Sequence, residues 1–290
     1  MDNGNIPIKI GISACVTGEK VRFDGQHKRD RYVMDVLGKY FSFVPVCPEV
    51  EVGMGVPRES VRLVGMPESP LMVAGKSGKD WSDLMHKFTA ERLRELGRCS
   101  LSGYILKKDS PSCGMERVKV YTDKGMPSKK GRGFWGGALV DHFPLLPVEE
   151  EGRLNDHGLR ENFIVRVFAY NRLLNSLGRN FSRKKVIDFH TAHKYLLMAH
   201  SPEHYKELGK LVADIKKYKP SEFRDTYSRS FMECLKTKTT VKKNINVLQH
   251  IIGYLKDYIG GMEKRDILET IDSYRNGFVP LVVPLTLINH

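Results

Sequence analysis

Two hydrophobic periods divide the chain. Up to about residue 143, short apolar runs alternate with amphipathic segments; beyond residue 159, every apolar pattern has helical spacing. "IPIKIGIS" (6–13), "FSFVPV" (41–46), "LSGYILK" (101–107) and "ERVKVY" (116–121) read as strands. Between them, "RDRYVMDVLGKYF" places Val33, Val36 and Leu37 on one helical face. "KDWSDLMHKFTAERLRELGR" (79–98) does the same with Leu84, Phe88, Leu93 and Leu96, and Gly97 closes it. A further helix is expected over 135–143. Strand–helix alternation predicts an α/β domain, a mostly parallel, doubly wound, Rossmann-like sheet with helices on both faces. The second half predicts an all-α domain of about six helices, with Ser201 as N-cap before Pro202 and Gly260–Gly261 separating two helices. "PLLPVEEEGRLND" (144–156), with two prolines and an acidic run, reads as the connection. The expected division is 1–146 for the first domain, 147–159 for a linker and 160–290 for the helical domain.

The charge is uneven in the same way. The net charge of +13 comes from 47 Lys and Arg against 34 Asp and Glu. Residues 160–250 hold 19 basic against 8 acidic residues, or +11. Arg183, Lys184, Lys185, Lys216, Lys217, Lys219, Lys242 and Lys243 cluster there. Such a block has the electrostatic footprint of a nucleic-acid partner, with a Lys-rich solvated helical surface as the plain alternative. Tyr205, Tyr218 and Tyr227 are candidates for stacking on unpaired bases or for half-buried packing. No run of apolar residues is long enough to span a membrane, and the N-terminus lacks the layout of a secretion signal. A cytoplasmic protein is expected.

The five cysteines make an odd count in an expected reducing compartment, which argues against a disulfide framework. Cys15, Cys47 and Cys113 each follow a predicted strand. In an open parallel sheet ligands bind beyond the carboxyl ends of the strands, so three thiols distant in sequence are brought to one edge. Three convergent thiolates suit soft-metal chemistry. The residues themselves leave three readings open: an iron–sulfur cluster with one iron not ligated by protein, a zinc site that recruits a fourth ligand, or ordinary buried thiols. Cys99, at a helix end, and Cys234, inside a helical pattern, read as packing residues. His190, His193 and His200 lack the HExxH pattern of a metalloprotease zinc site and read as core or RNA-facing residues.

"GISACVTGEKVRFDGQHKRD", "FVPVCPEVEVGMGVPRESVRLVG" and "LKKDSPSCGMERVKVY" resemble the thiouracil desulfidase family over about residues 6–146. The remainder, with "DFHTAHKYLLMAHSPEHYKELGKLVA", resembles the helical domain fused to desulfidases that act on tRNA. The resemblance implies a [4Fe–4S] cluster on Cys15, Cys47 and Cys113, a catalytic glutamate at Glu49 and a catalytic serine at Ser110. It implies conversion of 4-thiouridine in tRNA to uridine. Two other functions stay open: desulfuration of free thiolated bases or nucleotides, and a metal-stabilised RNA-binding protein without turnover.

Replacing C=S by C=O requires a thiophile to draw off sulfur, a base to activate water and a donor to stabilise developing charge. An open iron, Glu49 and Ser110 would supply one part each, with no net redox change. Glu51 competes with Glu49 in "CPEVE", and Ser110 and Ser112 are also turn formers. Asp24, Ser112 and Lys107 are candidate substrate contacts, Asp24 from a Gly-containing turn and Lys107 beside Lys108 at the site.

Overall fold

The computed structural model describes residues 7–122, 126–178 and 181–290. Ile6, the first residue of the expected opening strand, lies outside them. The chain divides into two compact units, Met1–Asn171 and Arg172–His290.

The first unit begins β1 (Ile8–Ser13), α1 (Ala14–Thr17), β2 (Phe41–Val46), α2 (Pro48–Glu51), β3 (Val61–Met66) and β4 (Ser69–Ala74). It continues α3 (Ser82–Leu96), β5 (Gly103–Leu106), β6 (Val118–Tyr121), β7 (Pro127–Gly131), α4 (Phe134–His142), β8 (Val148–Glu150) and the start of α5 (His157–Leu177). Four strands form an all-parallel sheet in the order β2-β1-β5-β8. β1 and β5 are buried on both faces, so they read as continuous apolar runs rather than alternating ones. One face packs Leu93 and Leu96 of α3 and Trp135 and Leu139 of α4 on Tyr104, Leu106 and Val148. The other packs Phe163 and Val167 of α5, with Val33 and Leu37, on Ile10, Ile12 and Ile105. The expected doubly wound α/β sheet is present.

Several expectations are corrected. "ERVKVY" does form a strand, β6, but in a second, mixed sheet of order β4-β3-β6-β7. The 29–41 segment is a π turn (Tyr32–Val36) followed by a 3₁₀ turn, so Val36 faces solvent while Val33 and Leu37 are buried. On α3 the buried stripe is Met85, Thr89, Leu93 and Leu96; Leu84 is exposed. The segment 147–159 is not a linker. Val148–Glu150 pairs in register with Tyr104–Leu106, which places all three of its residues in the interior. Helix α5, assigned to the helical domain on its period, uses its N-terminal half as a cover for the sheet, and the first unit ends at Asn171.

The second unit holds the end of α5 and six further helices, α6 (Arg183–His200), α7 (Pro202–Ala213), α8 (Pro220–Lys236), α9 (Val241–Leu255), α10 (Gly261–Arg275) and α11 (Val282–Asn289). Ser182, Ser201 and Thr240 cap α6, α7 and α9 through side-chain oxygens on main-chain N–H groups. An aromatic core joins Phe189, His193, Phe223, Tyr227 and Phe231. Tyr227 is fully buried with its hydroxyl 3.1 Å from His190 Nδ1, so it does not present a face to a base. His193 Nδ1 lies 2.7 Å from the Phe189 carbonyl, which makes it the N–H donor of that contact, and His200 Nδ1 meets the Thr237 carbonyl at 2.6 Å. His193, His200 and Cys234, whose thiol donates to the Leu197 carbonyl, are core residues, and His190 is half-buried beside Tyr227. Among the described residues no helix is long and apolar enough to cross a membrane.

Removing the α5 cover tests the boundary. Phe163→Ala should lower the unfolding free energy of the first unit by about 3–5 kcal/mol, measured by denaturant titration. A cost below about 1 kcal/mol would return residues 157–171 to the helical domain.

Candidate active site

The C-terminal ends of β2, β1 and β5 lie side by side, where the strand order reverses with β2 on one side of β1 and β5 on the other. Ligands bind at such a switch point. Each strand end delivers one cysteine: Cys15 in the α1 turn, Cys47 as the residue before α2, and Cys113 in the turn after β5. All three line one cavity of about 340 Å³, together with Glu49, Arg58, Lys107, Ser110 and the 21–23 loop.

The three thiols share an electrostatic problem. Burial pushes Cys15 up to about 11, and the neighbouring Cys47 adds to this; Lys107 and Arg22 oppose it. Burial also raises Cys47. Cys113 is raised most, by burial and then by Cys15, against a contact from Ser13. Turning all three into thiolates therefore requires positive charge placed among them.

Glu49 is held at both oxygens. Oε2 receives Nε of Arg58 at 3.0 Å and a short bond from Nη2 of the same guanidinium. Oε1 accepts from the Ser112 hydroxyl at 2.7 Å. Both side chains of the ion pair are buried, at 6% exposure for Arg58 and 14% for Glu49. Nη1 of Arg58 donates to the Val21 and Gly55 carbonyls, and its main-chain N–H to Phe23 O. The competing Glu51 is turned away: it accepts from Cys47 N at 3.0 Å and pairs with Arg92 on α3.

The turn bearing Cys113 is clamped from three sides. Ser110 Oγ accepts the N–H groups of Ser112 and Cys113, which folds the turn. The N-terminal amides of α4 reach the same turn, Phe134 to Pro111 O and Trp135 and Gly136 to Ser112 O. A Cβ at Gly136 would lie 2.3 Å from Cys113 O, so only glycine permits that approach. Glu151 accepts from Lys107 Nζ and Lys108 N, and Glu150 Oε1 from Met115 N at 2.8 Å. The acidic run expected in a linker thus anchors both ends of the cysteine loop.

Of the residues predicted from sequence, the fold brings together Cys15, Cys47, Cys113, Glu49, Ser110 and Lys107 on the cavity wall. Ser112 is fully buried behind Glu49 instead of facing the cavity. Asp24 is outside the lining: it closes its own turn through Gln26 N at 3.1 Å and Arg22 at 3.3 Å. Arg58 and Glu151 were not found from sequence. Neither lies in a periodic segment beside a cysteine, and only a paired charge search across the loops would have raised them.

Residues 10–151 match the family model described as 2-thiouracil desulfurase, and residues 194–290 match one described as Protein of unknown function (DUF1722). The two matched segments follow one another along the chain. It belongs to the family of the uncharacterized Escherichia coli (strain K12) protein YbgA, at 30% identity over 131 residues, 45% of this chain and 78% of that one. The uncharacterized Bacillus subtilis (strain 168) protein YbbK is 28% identical over 152 residues, 51% of this chain and 98% of that one. A solved structure of the [4Fe–4S]-dependent thiouracil desulfidase TudS superposes with a TM-score of 0.43 at 29% identity, covering 53% of this chain and 97% of that one.

The cavity of the first unit depends on its ion pair. Arg58→Met strands the Glu49 carboxylate without its partner and should cost about 3–5 kcal/mol, seen as a lowered denaturation midpoint. The double variant Arg58→Met, Glu49→Met should recover most of that loss. Additive losses in the double-mutant cycle would show that the pair is not coupled.

Proposed function

We propose that the chain is a desulfidase that converts thiolated uracil to uracil, acting on 4-thiouridine in tRNA, with Cys15, Cys47 and Cys113 as ligands of a [4Fe–4S] cluster. The observation that carries this is the wall of the cavity: three thiols and one oriented carboxylate, from neighbouring strand ends, in a domain of the desulfurase family. The donor set fits the group. The thiols are held protonated by burial and by one another, and a cationic iron core supplies the charge that their ionisation lacks. Among the described residues no three His, Cys, Asp or Glu side chains meet closely enough for a single ion, whereas a polynuclear cluster spreads its ligands over a larger body. Bound by three thiolates, such a cluster supplies one iron without a protein ligand, able to accept sulfur.

The chain's own residues do the rest. Glu49 is the base that takes a proton from the attacking water: Arg58 occupies Oε2 with two donors, while Oε1 keeps a lone pair beyond the one taken by Ser112. Arg58 and Ser112 fix its orientation. Ser110 accepts two amide protons and keeps its own to donate toward the changing carbonyl position. Lys107, tied to Glu151, keeps positive charge beside Cys15.

The helical unit supports RNA as the carrier of the base. Arg183, Lys184, Lys185, Lys216, Lys217, Lys219 and Lys242 are exposed, while Lys243 is engaged with the His200 carbonyl. A second reading, free thiolated bases or nucleotides, draws on the cavity itself, which is lined wholly by first-unit residues.

The test uses protein purified without oxygen and reconstituted with iron and sulfide. Incubated with thiolated tRNA, it should deplete 4-thiouridine as read by nucleoside mass spectrometry. Intact iron content with no loss of any thiolated uracil would sink the desulfidase reading; turnover of free thiouracil alone would select the second reading. Cys113→Ala should lower bound iron. Glu49→Gln should retain iron and lose about 10²–10⁴-fold in kcat.

A further inference from the structure

The second sheet of the first unit has a function to find. Its inner face is apolar: Leu63, Met72, Val118 and Val120 are buried together. Strand alternation sends their neighbours to the outer face. Leu63 pairs with Val120 in parallel register, so Arg62 falls beside Lys119. On the other side, Val118 pairs with Gly131 and Val120 with Ser128, an irregularity that sets both Lys129 and Lys130 opposite Lys119. All four cations are exposed. They form a row across three strands, about 10 Å wide at the usual strand spacing.

Like charges directly opposite one another in a sheet are destabilising. Among the described residues, the ion pairs of this unit include none of these four side chains. The row is placed next to the cavity: Ser60 and Val61 line it, and Arg62 is the following residue. The Arg62 guanidinium lies over the Tyr121 ring at 5.7 Å, a flat cationic platform on the same face. A one-sign row beside such a platform matches a phosphodiester chain whose bases stack on arginine and aromatic planes.

We propose that the outer face of the β4-β3-β6-β7 sheet is an RNA contact carried by the catalytic unit itself, in which Arg62, Lys119, Lys129 and Lys130 hold substrate phosphates at the lip of the cavity. This rests on the reading that the thiolated base is carried on RNA, and it adds a contact separate from the basic helices.

The experiment is fluorescence-anisotropy binding of the full chain to an unmodified tRNA transcript, titrated between about 50 and 200 mM salt. The transcript has no thiolated base, so failure of the desulfidase reading does not touch this readout. The charge reversal Arg62→Glu, Lys119→Glu, Lys130→Glu should weaken binding at least about tenfold at the low-salt end. The slope of log affinity against log salt should become shallower by about 2.7, at about 0.9 per lost phosphate contact. The neutral set Arg62→Gln, Lys119→Gln, Lys130→Gln guards against misfolding: relief of repulsion should leave Tm unchanged or raised, with the same shallower slope. Affinity within about twofold and an unchanged slope in the neutral set would overturn the proposal, and an acidic protein partner would show that same result. Absence of any binding by the unsubstituted chain would overturn it too.

Discussion

One buried ion pair organises the site. Glu49 and Arg58 are both largely withdrawn from water, which is costly for each charge alone, and the cost is offset because the guanidinium meets the carboxylate through two donors. The same arginine spends its remaining donors on the carbonyls of Val21 and Gly55. All three cysteine loops are referenced to this pair. Cys47 stands two residues before Glu49. The loop after Cys15 is held through Val21 O, which also receives the Cys47 thiol at 3.8 Å. The loop of Cys113 is held through Ser112, whose hydroxyl reaches Glu49 across 63 residues of sequence. The carboxylate proposed as the base is therefore also the fastener of the wall around it.

The turn at Cys113 shows how a short irregular segment is made rigid without periodic structure. Its carbonyls accept the N-terminal amides of α4, which would otherwise lack partners inside the helix. Its two ends are held by Glu151 and Glu150 at the end of β8. Each contact satisfies a backbone group that burial would make costly.

The helical unit divides its polar residues by burial. His193, His200 and Tyr227, which looked available in sequence, are interior, and His190 is half-buried; all are engaged with main-chain carbonyls or with each other. Lysine and arginine face solvent, and Tyr254, Tyr258 and Phe278 are exposed as well. The unit therefore offers charge and exposed rings at other positions, while Tyr227 itself presents no face.

The sequence by itself determined the two architectures and the edge at which the cysteines gather. Apolar runs and helical stripes report local burial, and the carboxyl ends of parallel strands share one edge whatever the loops do. Glu49 and Ser110 were legible beside their cysteines through the family resemblance, and both line the cavity. Tertiary structure alone decided that Ser112 backs Glu49, that Asp24 folds its own turn, that Arg58 locks the carboxylate and that the acidic run 149–151 is an anchor rather than a linker. The reason is range. Periodicity encodes contacts a few residues apart, whereas the Lys107–Glu151 pair closes over 44 residues and the Ser112–Glu49 bond over 63, and such pairings exist only once strand order has set which loops meet.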